Sequence, residues 1–74
     1  MDKPKMIWIA IKFAERGYAF DKVYFSDDLY GNEKYADEIW GYMEEYKDIG
    51  RIAFREKYKK YGSYLKRGGT KWKS

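Results

Sequence analysis

Sixteen aromatic side chains stand beside only two leucines and one valine in a chain of 74 residues. That imbalance predicts an interior filled by aromatics, each burying on the order of 150 to 250 Å². A chain this short buries about 60% of the surface its unfolded form exposes, so some of the sixteen are expected at the surface. Tyr and Trp there give a large apolar face with a polar tip, which suits recognition. Cys and His are both absent, so disulfides and the usual zinc sites cannot staple so small a scaffold; dense packing or self-association must serve instead.

Hydrophobic spacing predicts an all-α fold, a compact three- or four-helix small domain. Asp2-Lys3-Pro4 reads as a helix start, and Ala14-Glu15-Arg16-Gly17-Tyr18 as an end closed by a left-handed glycine, giving a first helix over about 4–16. Its rival is a strand at 6–13, because Ile7, Ile9, Ile11 and Phe13 alternate with Met6, Trp8, Ala10 and Lys12. That alternative would make the fold α+β; helix is preferred because no turn signal interrupts the run. A second short helix is expected over Phe20 to Tyr30. A third, over about 33–48 and capped by Asn32, carries Tyr35, Ala36, Ile39, Trp40, Met43 and Tyr46 at the helical period. Gly41 inside it marks either a close helix crossing or simple tolerance. Gly50 closes it and begins a fourth helix over about 51–67, whose apolar stripe is Phe54, Tyr58, Tyr61 and Leu65, with Gly62 weakening its end. The domain thus covers 1–67, and 68–74 form a flexible basic tail.

Enzyme chemistry finds no footing in these residue types. Thiol nucleophiles and imidazole bases are missing, and the carboxylate pairs Asp27-Asp28, Asp37-Glu38 and Glu44-Glu45 point about 100° apart on a helix. A calcium loop after Asp27 fails because Leu29 and Gly31 stand where oxygen ligands are needed. The glycine pair Gly68-Gly69 lacks the following Lys-Ser/Thr of a nucleotide loop. No catalytic residue, metal or cofactor is expected. The run Phe13 to Phe20 resembles a helix-turn-helix corner, but the segment that would enter a groove carries Asp21, Asp27 and Asp28 against Lys22, so a structural role is expected.

Charge gives the functional expectation. Residues 1–50 hold seven Lys and Arg against eleven Asp and Glu, whereas residues 51–74 hold nine against one, a net of +8. A basic terminal segment on an acidic body suits a polyanion. The expected role is a small non-enzymatic nucleic-acid-binding accessory protein of viral or archaeal type. It would grip DNA or RNA phosphates with Arg51, Arg55, Lys59, Lys60, Lys66, Arg67, Lys71 and Lys73, and stack bases on Tyr64 and Trp72. Tyr58 and Tyr61 either join that stacking or form the helix's core face. The alternative is a protein-binding module, a phage-type inhibitor or a self-assembling protein, docking or dimerising through aromatic faces while charge steers the encounter. The apolar run Met6 to Ile11 is too short for a membrane span and no cleavage site follows it. A cytoplasmic protein, in the host cytoplasm if viral, with no membrane partner is therefore expected.

Overall fold

A computed structural model describes residues 1–61. Over them the chain forms four α-helices, α1 (Lys3–Arg16), α2 (Phe20–Tyr24), α3 (Ala36–Ile49) and α4 (Arg51–Lys57). Single 3-10 turns stand at Asp27–Leu29, Glu33–Tyr35 and Lys59–Tyr61. The all-α expectation holds, and the strand alternative at 6–13 does not.

Helix α1 starts where an acidic cap can satisfy an orphan donor, the Lys5 amide donating to Asp2 Oδ1 at 3.1 Å. It ends at Gly17, whose φ of 70° is left-handed. The Gly17 and Tyr18 amides there close back onto the Ala14 and Phe13 carbonyls, each at 3.1 Å, the paired bonds of a Schellman ending. The strand-like alternation has a physical cause: α1 is buried on two sides. Met6, Ile9, Ala10 and Phe13 pack with Val23, Leu29, Ala36, Ile39 and Met43. Ile7 and Ile11 turn to a second cluster with Tyr46 and Phe54. Over 6–14 no residue is exposed, so that stretch lacks the solvated polar positions that mark an amphipathic helix.

Three boundaries differ from the sequence expectation. The second helix stops at Tyr24 instead of running to Tyr30, because the Ser26 hydroxyl accepts the Asp28 amide at 3.0 Å and restarts the chain as a 3-10 turn. Asn32 makes no side-chain cap; its carbonyl accepts the Tyr35 amide at 3.0 Å, and α3 begins one turn later. The fourth helix ends at Lys57 and not near 67. A 3-10 turn follows, closed by the Tyr61 amide on the Tyr58 carbonyl at 2.9 Å. Side chains three apart eclipse in such a turn, so Tyr58 and Tyr61 both reach the second cluster. Residues 62–67 of the expected helix, and the proposed tail 68–74, lie outside the described residues.

The interior is also less aromatic than composition implies. Among the described residues its buried members are mainly Met, Ile, Leu, Val and Ala, joined by three aromatics, Phe13, Tyr46 and Phe54. Trp8, Tyr18, Tyr35, Trp40, Tyr42, Tyr58 and Tyr61 ring the two clusters, half-buried. A core sandwiched between two 14-residue helices is thin, and a tyrosine or tryptophan at its edge buries its ring while its polar atom reaches a partner.

Candidate nucleic-acid interface

Helix α4 is held by its underside. Phe54 is fully buried, with the Tyr46 ring edge-on at 5.3 Å and the Tyr58 ring at 4.7 Å. Two tyrosine–carboxylate bonds tie the neighbouring helices. The Tyr58 hydroxyl donates to Glu45 Oε1 at 2.5 Å, while Lys57 Nζ donates to the other oxygen of the same carboxylate. The Tyr46 hydroxyl donates to Glu15 Oε2 at 2.6 Å, linking α3 to α1.

These contacts move the groups' proton affinities in ways that follow from chemistry. The Lys57 ammonium, then the Tyr58 hydroxyl, hold Glu45 below the usual carboxylate range. Burial, then the bond to Glu15, push Tyr46 up to about 12. Burial, then the bond to Glu45, raise Tyr58 as well.

The outer side of α4 presents the cations. Arg51 and Arg55 stand one helical turn apart, both exposed. Among the described residues no carboxylate lies within ion-pair distance of either, or of Lys60. The Lys60 ammonium sits 5.4 Å from the centre of the Tyr61 ring. Lys59 reaches Glu56 at 3.0 Å, but both groups are well exposed, and such a pair contributes little and is easily exchanged. Lys57, by contrast, is committed to Glu45. Arg51 and Arg55 also flank a shallow depression of about 680 Å³ floored by Ile49, Gly50 and Ile52.

Comparison with known protein families, with curated proteins and with solved structures finds no match. The functional reading therefore rests on this geometry.

Of the ten expected contact residues, Arg51, Arg55, Lys59 and Lys60 lie together on and just after α4. Tyr64, Lys66, Arg67, Lys71, Trp72 and Lys73 lie outside the described residues. Tyr58 and Tyr61 belong to the core face: one hydroxyl is bonded and both rings pack on the second cluster, so neither offers a free platform for a base. Sequence reasoning missed Ile52, 84% exposed between the arginines. Its signal was legible, since Ile52 falls off the stripe that begins at Phe54. Among the described residues, no group of three or more acidic side chains is placed to hold a metal ion, and no helix is long and apolar enough to cross a membrane.

Proposed function

We propose that this chain is a non-enzymatic accessory protein that binds the phosphate backbone of DNA or RNA through its cationic α4 end and the basic residues that follow. One observation carries the reading: Arg51 and Arg55 on α4 and Lys60 in the turn after it are exposed and unneutralised by any acid among the described residues. Desolvating cations that already have partners gains little, whereas free ones release counterions from a polyanion. The segment beyond Tyr61 adds Lys66, Arg67, Lys71 and Lys73 with no acid, extending the same charge.

The described cations are accompanied by Ile52 and not by a free aromatic ring, so they contribute phosphate contacts, and base stacking, which tolerates sequence, falls to Tyr64 and Trp72. Such a role belongs where nucleic acid is, in the cytoplasm of a cell or of a viral host. The test is a fluorescence-anisotropy titration of labelled duplex DNA and of duplex RNA. With about four phosphates engaged, affinity falls about a hundredfold between about 50 and 200 mM salt and changes little with base sequence. Binding to neither polymer at the lower salt would contradict the proposal.

A further inference from the structure

A second surface shares no residue with the cationic end. Trp40, Phe20, Tyr24 and Phe25 form a continuous aromatic ladder, with centroids 5.7, 6.4 and 5.0 Å apart in that order. It climbs from a half-buried base to Phe25, which is 79% exposed. At its upper end Phe25 borders a hollow of about 380 Å³ whose wall includes Asp27 and Asp28. Asp28 is bound to Lys12 at 2.7 Å. Asp27 and the exposed Asp21 have no side-chain partner among the described residues. Residues 20–48, which make α2 and α3, hold nine acids against three bases, a net of −6.

Exposed apolar rings beside unpaired carboxylates are the complement of exposed isoleucines beside unpaired arginines. The molecule displays both. Guanidinium groups stack on aromatic faces as well as pairing with carboxylates, so Arg51 and Arg55 suit the ladder on both counts, and Ile52 supplies the apolar contact.

We propose that the α2 face is a docking site for the α4 end of a second copy of this chain. Helix α3 also carries exposed carboxylates without ion pairs, Asp37, Glu44 and Asp48, but none of its aromatic rings is exposed, so it is the poorer receiver for a stacking guanidinium. The two patches differ, so the contact is heterologous: every copy that joins leaves one patch of each kind open, and assembly runs on as a row or closes as a ring. Patches this small make a transient contact, steered by charge and weakened by salt. The contact does not depend on nucleic-acid binding, although phosphates and the α2 face would compete for the same arginines.

Sedimentation velocity on the full chain without nucleic acid, with two charge-reversal variants and one neutral one, tests this. Wild type is expected to show mass rising with concentration at low salt and falling back at high salt. Asp21→Lys/Asp27→Lys removes the receiving patch and Arg51→Glu/Arg55→Glu the donating one, so each alone stays monomeric. Their equimolar mixture assembles again, because the two intact patches match each other and so do the two reversed ones. Phe25→Ser, at an exposed position, weakens self-association about tenfold with the helical circular dichroism unchanged. Wild type that stays monomeric at every concentration, or single variants that assemble as wild type does, or a mixture that remains monomeric, would each overturn the proposal. Duplex binding retained by Phe25→Ser, which leaves the charge unchanged, separates this contact from the phosphate-binding role.

Discussion

At the scale of single residues, the tyrosine–carboxylate bonds do what a larger core does elsewhere. Glu45 has a lower proton affinity in the folded chain than in the unfolded one. Its contribution is therefore complete above the unfolded carboxylate value and is lost as pH falls through the folded one. Tyr46 works in the opposite sense. Its folded value of about 12 lies above the ordinary 10, so its contribution is complete below 10 and is lost as pH rises toward 12. Denaturant midpoints followed by circular dichroism are expected to fall on both the acid and the alkaline side. Glu45→Gln flattens the acid limb and, through its bond to Tyr58, softens the alkaline one, whereas Tyr46→Phe weakens the alkaline limb and leaves the acid limb in place. Tyr58→Phe removes one hydrogen bond to a charged acceptor at the rim of the core and costs about 1 kcal/mol in the same measurement. None of these pairs was legible in the sequence. Glu45 and Lys57 stand twelve positions apart on different helices, and only packing selects which acid meets which base. The free arginines were legible, because a basic run with so few acids of its own leaves cations over however the rest pairs.

At the scale of elements, the glycines separate space from backbone. Gly41 sits inside α3 with nothing within 4 Å of where a Cβ would stand, so tolerance, and not a close helix crossing, explains it. Gly41→Ala is expected to raise stability by about 1 kcal/mol. Gly50 has equal room, but its φ of 89° and ψ of 164° are conformations left to glycine. Gly50→Ala is expected to lower stability by about 1 to 3 kcal/mol, and the contrast between the two variants in thermal or denaturant unfolding checks the assignment. Phe54→Ala empties the anchor under α4; a loss of about 3 to 5 kcal/mol is expected. Helix α3 was readable because one face of it alone is covered, which leaves the 3.6-residue period intact. Helix α1 was ambiguous because no residue over 6–14 is exposed, so its middle carries no solvated position to set the period. The ends of α2 and α4 were misplaced because a serine hydroxyl and a pair of tyrosines, local contacts that periodicity does not encode, stop the helix early.

At the scale of the whole molecule, charge is unevenly spread over a body of 27 × 27 × 20 Å. The Debye length near 0.1 M salt is about 10 Å, less than half the longer dimension, so an approaching polyanion meets the α4 end before it meets the net charge. The described part of that end, residues 51–61, holds five bases against one acid, and two of those bases, Lys57 and Lys59, already face carboxylates. Removing Arg51 and Arg55 therefore removes much of what is free there. The measurement that bears most directly on this account is the slope of log affinity against log salt for duplex DNA, in wild type and in Arg51→Ala/Arg55→Ala. The account predicts a steep wild-type slope and a variant slope shallower by about 2, roughly one for each phosphate that no longer meets an arginine. Identical slopes in a folded variant would contradict it.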